Sequence, residues 1–229
     1  MIATKTIGIL QTGHAPDQIL PVTGDYDVMF AKLLEGHGLR YETYSVVDDE
    51  FPAGAEACDG WLITGSKHGA YEDLPWIAPL EDLIRDIHAA GRPMVGICFG
   101  HQVIAQALGG KVEKFKDGWA VGPQDYVIEG QNVTLYAWHQ DQVTALPEGA
   151  DVIGTNPFCN YAALSYGDTI YTVQPHPEHT PEFVARLIET RGRGVVPDDL
   201  LAVAQENVRK PTDNQLMADR MAAVLKRGL

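Results

Sequence analysis

Residues 93–102 read PMVGICFGHQ, an apolar run that stops at a cysteine lying between two glycines. The first five of these residues are typical of a buried strand, and residues 99–110 have the apolar spacing of a helix that ends at two glycines. Gly96 and Gly100 therefore flank Cys98 on a predicted turn from strand to helix. The segment G-I-C-F-G matches the nucleophile elbow G-x-S-x-G, with cysteine at the serine position.

Cys98 has two interpretations from this pattern alone. It is either a buried free cysteine packed at a strand end, or a nucleophile held on a strained turn. In the second case the sulfur lies over the N-terminus of the following helix, whose partial positive charge favours the thiolate. The N–H group of Phe99 would then point into the same space and stabilise an oxyanion.

A catalytic cysteine needs a base and a group that orients the base, and the segment YTVQPHPEHT (171–180) contains both. Its first part reads as a strand, at whose end His176 and Glu178 project to the same side. Glu178 can accept from one imidazole nitrogen while the other faces Cys98. The alternatives are a histidine without a role, or a metal site that includes His179. The prolines do not suit a helical H-E-x-x-H site, so we predict no metal.

The order of the other elements predicts the fold class. Apolar runs and helical periods alternate as βαββαβα up to residue 110, which is the pattern of a mostly parallel central sheet flanked by helices. Residues 111–173 then read as strands, including a hairpin turn at 166–169, and predict an antiparallel segment. The last third returns to helices, with possible starts at Pro197 and Pro211. We expect one α/β domain over residues 1–229, with a core of about 5–190 and a helical C-terminal extension of about 195–229.

Composition limits the partners and the compartment. The formal net charge is −14 and the sequence pI is near 4.8, which argues against nucleic acid or an anionic membrane as a partner. The three cysteines are scattered and indicate no disulfide framework. No apolar run approaches the roughly 20 residues of a membrane span. We therefore expect a cytoplasmic protein.

The elbow cysteine and the HPE segment lie 78 positions apart, in an order that resembles the class I (triad) glutamine amidotransferase family. Longer stretches carry the same resemblance: DGWLITGSKHGAYED (59–73), CFGHQVIAQALGGKV (98–112), WHQDQVTALPEGADVI (138–153) and VQPHPE (173–178). The resemblance implies a flavodoxin-like parallel sheet with added antiparallel strands.

The resemblance also implies roles for individual residues. Cys98 would attack the carbonyl of a γ-glutamyl amide, His176 would transfer the proton, and Glu178 would orient His176. The amides of Phe99 and of the turn at Gly65 and Ser66 would form the oxyanion hole. The substrate would be held by four further residues: Gln102, His139, Gln140 and Asp141.

Within the family, the chain is similar to stand-alone members related to the glutaminase part of GMP synthase and to γ-glutamyl peptidases. The first expectation is hydrolysis of glutamine to glutamate and ammonia, with a possible ammonia-accepting synthetase as partner and no cofactor. The alternative is a peptidase acting on glutathione-like γ-glutamyl compounds. A third reading is a binding protein without turnover. The loop 11–26 follows the first strand and could reach the pocket, but its sequence assigns it no role.

Overall fold

The computed structural model describes residues 4–227, whose strands form a nine-stranded sheet and a separate two-stranded ribbon. The strands are β1 Lys5–Leu10, β2 Leu39–Tyr44, β3 Gly60–Ile63, β4 Met94–Ile97, β5 Lys111–Lys114, β6 Ala120–Ile128, β7 Gln131–His139, β8 Asp141–Ala145, β9 Ala150–Thr155, β10 Ala163–Tyr166 and β11 Ile170–Val173. The helices are α1 Leu20–Thr23, α2 Tyr26–Leu33, α3 Ile77–Ala89, α4 Phe99–Ala107, α5 Pro181–Leu187, α6 Asp198–Asn207 and α7 Asn214–Leu225. A π-helical turn, Ile188–Gly192, follows α5, and short 3-10 turns lie at Val46–Asp48 and Ala55–Ala57.

Five neighbouring strands, in the order β2-β1-β3-β4-β11, are parallel to one another. Strands β3 and β4 are buried along their whole length, because helices cover both faces of this part of the sheet. Their sequences GWLI and MVGI are accordingly apolar without alternation. The carboxyl ends of β3, β4 and β11 lie at one edge, where doubly wound sheets bind ligands. The predicted α/β class is confirmed.

The antiparallel segment extends the same sheet through β10, β9, β6 and β7, and the separate ribbon pairs β5 with β8. The predicted hairpin joins β10 to β11, with Tyr166 opposite Ile170 and Gly167 at a positive φ of 56°. Strand β11 comes last in the chain but pairs with β4 in the centre of the sheet. This return brings the residues after β11 beside those after β4.

Helices pack on both faces of the sheet. α3 and α4 bury apolar residues on one face, and α2 and α7 do so on the other. α7 lies in the core of the second face, where Met217, Met221 and Leu225 are almost completely inaccessible. α6 packs on β6 in a smaller cluster that includes Trp119. Within residues 4–227, no helix combines the length and the apolar character that crossing a membrane requires.

We predict that Met221→Ala lowers the free energy of unfolding by about 2–5 kcal/mol, because truncating a fully buried side chain leaves a cavity under the sheet. The matched control is Gln215→Ala at an exposed position of the same helix, for which we expect a change below about 0.5 kcal/mol. Urea unfolding of both variants measures the difference. Equal stabilities would contradict the placement of α7 in the core.

Candidate active site

Cys98 adopts a backbone conformation that is rare for a residue with a side chain. Its φ of 52° and ψ of −101° lie between the end of β4 and the first residue of α4. Such a conformation costs of order 1–3 kcal/mol and persists only where the surroundings impose it. Here the Cys98 N–H donates to the carbonyl of Val173 at 2.9 Å, and the Gly100 N–H donates to that of Thr64 at 3.1 Å. The turn is therefore held by β11 on one side and by the end of β3 on the other.

The two glycines of the elbow are required by close contacts. A Cβ atom at Gly100 would lie 2.3 Å from the carbonyl oxygen of Ile63. A Cβ at Gly96 would lie 2.6 Å from Ile104 Cδ1 and 2.7 Å from the carbonyl carbon of Gly100. Because neither position has room for a side chain, α4 begins directly against β3 and β4, with Cys98 at its N-terminus.

His176 and Glu178 follow β11 at the same edge of the sheet. The His176 N–H donates to the carbonyl of Tyr136 in β7 at 2.8 Å, which fixes the backbone of the base segment. Its Nδ1 lies 2.7 Å from Glu178 Oε1. Both side chains are buried, at 6% and 4% exposure respectively. Glu178 therefore orients the imidazole ring through a buried, charge-assisted hydrogen bond.

The environment of His176 favours its protonated form. Burial lowers the pKa of His176, but the neighbouring Glu178 carboxylate and Cys98 sulfur outweigh burial and raise the pKa to about 10. The site therefore holds an imidazolium between the Glu178 carboxylate and the Cys98 sulfur at neutral pH. This arrangement suits proton transfer to a leaving group near the sulfur.

The turn after β3 lies against both groups. A Cβ atom at Gly65 would be 3.1 Å from His176 Cε1 and 3.7 Å from Cys98 Cβ. The hydroxyls of Thr12 and Thr64 each lie 3.1 Å from the Gly65 carbonyl oxygen and hold it away from the sulfur. Within residues 4–227, the amides of Gly65, Ser66 and Phe99 donate to no other protein group. The turn that contacts Cys98 and the first residue of α4 therefore carry N–H groups without a partner within these residues.

The loop 11–26 supports this turn from behind. Gly13 packs on Ser66, since a Cβ atom at Gly13 would lie 3.2 Å from Ser66 Oγ. Asp25 holds the loop together: its carboxylate accepts from the side chain of Gln11 at 2.7 Å and from the N–H of Ala15 at 2.8 Å. Asp25 also caps α2 through the N–H of Tyr26. The loop therefore acts on the site through the backbone of the Gly65–Ser66 turn.

Gln102 lies one helical turn after Cys98 and is buried. Its Nε2 donates to the carbonyl of Asp141 at 2.8 Å and to Gln174 Oε1 at 3.1 Å, which leaves its own Oε1 as an acceptor. Gln174 Nε2 in turn lies 3.6 Å from Cys98 Sγ. Sequence analysis missed Gln174 as a contact of the sulfur. The sequence contained a pattern that could have identified Gln174, because side chains two residues apart in an extended segment, here 174 and 176, project to the same side.

The other predicted substrate residues differ in placement. His139 is buried, and burial together with the charge on His176 lowers its pKa to about 3, so its ring is neutral. Asp141 is half-buried, and its Oδ1 accepts from the hydroxyl of Tyr71 at 3.2 Å. The side-chain amide of Gln140 is directed to the carbonyl of Phe115 at 3.4 Å. The contacts of Asp141 thus join it to Gln102, whereas those of Gln140 join it to the turn after β5.

His176, Glu178 and His179 have potential metal-ligand atoms within 4.8 Å of one another. The two imidazole rings are parallel, however, with an interplanar angle of 3° and centroids 4.0 Å apart. A metal ion binds in the plane of an imidazole at about 2.0–2.1 Å from nitrogen, so it cannot lie in both planes at once. The geometry of these three residues does not suit a shared metal ion.

We predict that Glu178→Gln lowers the pKa of His176 and leaves its ring neutral at pH 7, because burial then dominates. NMR titration of labelled histidine measures this, with exposed His88 as an internal reference. An unchanged His176 titration would contradict the conclusion that Glu178 raises its pKa.

The raised pKa of His176 also affects the stability of the fold. The pair of His176 and Glu178 stabilises the wild-type fold fully below about pH 6.5, and this contribution is lost as pH rises toward about 10. The Glu178→Gln variant should lack this fall in stability.

Comparison with known proteins agrees with the position of these segments. The sequence model of the family "Glutamine amidotransferase class-I" matches residues 37–188, which contain the elbow and the base segment. The chain is 34% identical to gamma-glutamyl peptidase 4 of Arabidopsis thaliana over 72% of each chain. It is 30% identical to the GMP synthase [glutamine-hydrolyzing] of Clostridium acetobutylicum, over 71% of this chain and 33% of that protein.

The fold agrees with solved structures. A glutamine amidotransferase from Methylobacillus flagellatus superposes with a TM-score of 0.78 at 22% identity, over 97% of this chain and 93% of the other. At that identity the likeness concerns the fold alone. The family match over most of the chain and the identity to the peptidase carry the assignment: this chain belongs to the class I glutamine amidotransferase family.

Proposed function

We propose that this chain hydrolyses γ-glutamyl amide bonds with Cys98 as nucleophile, His176 as the proton carrier and Glu178 as its orienting group. The observation that carries the proposal is the elbow: Cys98 has a positive φ and lies beside the buried His176 imidazolium and a turn whose amides have no partner within residues 4–227. A structural cysteine would need neither the strained backbone nor a charged partner. A strained nucleophile beside a base and oxyanion donors is the arrangement of covalent acyl transfer.

The reaction follows from these positions. Cys98 attacks the γ-carbonyl carbon as the thiolate paired with the His176 imidazolium, to which its proton has already passed, and the amides of Phe99 and of the Gly65–Ser66 turn stabilise the oxyanion. His176, already protonated, gives its proton to the departing ammonia or amine as the C–N bond breaks, which leaves a thioester on Cys98. The neutral ring then removes a proton from water, which attacks the thioester and releases glutamate.

The residues beside the sulfur suit the α-substituents of a γ-glutamyl group. Gln102 Oε1 and the Asp141 carboxylate are acceptors for the α-ammonium group. The neutral ring of His139 can donate one N–H to the α-carboxylate, since neither of its nitrogens has a partner among residues 4–227. Gln140 is the fourth predicted contact, and reaching substrate would require it to leave Phe115.

Glutamine is the first candidate substrate, and in that case the ammonia would pass to a synthetase partner. The relationship to a glutamine-hydrolysing GMP synthase supports it. A γ-glutamyl peptide is the second candidate, favoured by the 34% identity to a gamma-glutamyl peptidase over 72% of both chains. The two candidates share the proposed triad and differ in the space that the site leaves beyond the γ-carbonyl.

The test follows glutamate release from glutamine and, separately, from glutathione, with the wild-type protein and Cys98→Ala. We expect the variant to lose at least about a thousand-fold in kcat. Cys58→Ala is the matched control, because Cys58 is also buried but lies under Trp61 on β3, away from the elbow. It should keep its activity.

The relative rates decide the substrate class. Faster release from glutamine favours the amidotransferase reaction, and faster release from glutathione favours the peptidase reaction. A glutamine-analogue electrophile should label Cys98, as mass spectrometry of the digested protein would show. If neither substrate is turned over and Cys98 is not labelled, the proposal is wrong.

A further inference from the structure

A second histidine lies directly on the ring of His176. The segment 176–179 forms a β-turn in which the His179 N–H approaches the His176 carbonyl at 3.4 Å, with Pro177 at its favoured second position. The turn folds the two side chains onto one another. Their rings are parallel within 3°, and their centroids are 4.0 Å apart. The stack covers one face of the imidazole that is bound to Glu178.

His179 is itself held from several sides. It is 2% exposed, and Phe183 in the first turn of α5 packs on it with ring centroids 4.6 Å apart. Thr180 caps α5 by accepting from the N–H of Phe183 at 3.2 Å. Asn214, at the start of α7, donates its side-chain N–H to the His179 carbonyl at 2.8 Å. Two helices therefore fix the position of one ring.

The chemistry of His179 does not fit a second acid or base. Burial and the charge on His176 lower its pKa well below the usual range, so the ring stays neutral. Its nitrogens donate to or accept from no other group within residues 4–227. The Nε2 lies 3.6 Å from Glu178 Oε1, which is too long for a hydrogen bond. What His179 offers to His176 is therefore a flat π face.

A neutral π face against a cation is attractive, and the attraction increases when water is excluded. The other titratable groups that face His176 are the Glu178 carboxylate, the Cys98 sulfur and the neutral ring of His139. The carboxylate holds one nitrogen in the plane of the ring. The parallel ring of His179 packs on the face of the imidazole and limits its rotation about the Cβ–Cγ bond.

We propose that His179 is a positioning residue whose neutral ring stabilises the His176 imidazolium and holds its plane toward Cys98. The inference rests on the proposed function, in which His176 carries the proton. It assigns to the fourth residue of the HPEH segment a role that depends on a flat ring and not on a titrating nitrogen.

Three substitutions of His179 separate the effect of its flat ring from the effect of its polar nitrogens. His179→Leu removes the flat face, His179→Gln keeps a polar side chain without a ring, and His179→Phe keeps a ring without nitrogens. We expect Leu and Gln to lower kcat roughly three- to thirty-fold, the range of a cation–π contact, with little change in KM. The loss of activity at high pH should move to lower pH in both, because the imidazolium loses stabilisation. Phe should restore the wild-type profile.

The control separates positioning from general destabilisation. Ile87→Ala on α3 weakens the core on the face of the sheet opposite α7, the helix that anchors His179, and should leave the pH profile unchanged. An unchanged profile in the Leu and Gln variants would overturn the inference and make His179 a packing residue. A loss in the Phe variant equal to that in Leu would also overturn it, since the nitrogens would then matter.

NMR titration of His176 tests the same inference without turnover. The pKa of His176 should fall in the Leu and Gln variants and stay near the wild-type value in the Phe variant. If wild-type protein hydrolyses neither substrate and is not labelled at Cys98, the proposed function fails, but this titration still supports or overturns the role of His179. If the Leu variant does not fold, the Gln variant carries the comparison with Phe.

Discussion

The left-handed backbone of Cys98 is the constraint on which the site depends. It is held by two hydrogen bonds, one from Cys98 itself to the end of β11 and one from Gly100 to Thr64. Each bond joins the elbow to a strand that carries another part of the site: His176 follows β11, and Gly65 follows β3. The strain at one residue is thus maintained by the two contacts that bring His176 and the Gly65–Ser66 turn to the sulfur.

The four histidines around the site are all buried but do not share one charge state. Burial lowers the pKa of His101 and of His139 to about 3, and burial together with the charge on His176 holds the pKa of His179 well below its usual value. Of these four histidines, only His176 has a raised pKa, because the Glu178 carboxylate and the Cys98 sulfur lie beside it. Because the other three rings are neutral, the His176 imidazolium meets no repulsion from a second imidazolium. Among the four histidines, His176 therefore carries the added proton.

The loop 11–26 contributes none of the proposed catalytic groups, but it contacts the turn that carries the proposed oxyanion donors. It carries Thr12, whose hydroxyl lies against the Gly65 carbonyl, and it is anchored by the carboxylate of Asp25. Arg191, in the π-helical turn after α5, donates to the carbonyl of His14 at 2.9 Å and joins the loop to the region after the base segment. The turn that bears the proposed oxyanion donors is therefore supported from two directions.

The sequence by itself determined the order of the elements, the elbow at Cys98 and the pairing of His176 with Glu178, because each depends on spacing within a few residues. It predicted strands over 111–173 but not that β11 returns to the centre of the sheet beside β4. Only the tertiary structure decided that Gln174 reaches the sulfur, that His179 stacks on His176 and that α7 lies in the core. These are contacts between distant segments or orientations of buried rings. Both are set by close packing of the whole interior, which no local pattern encodes.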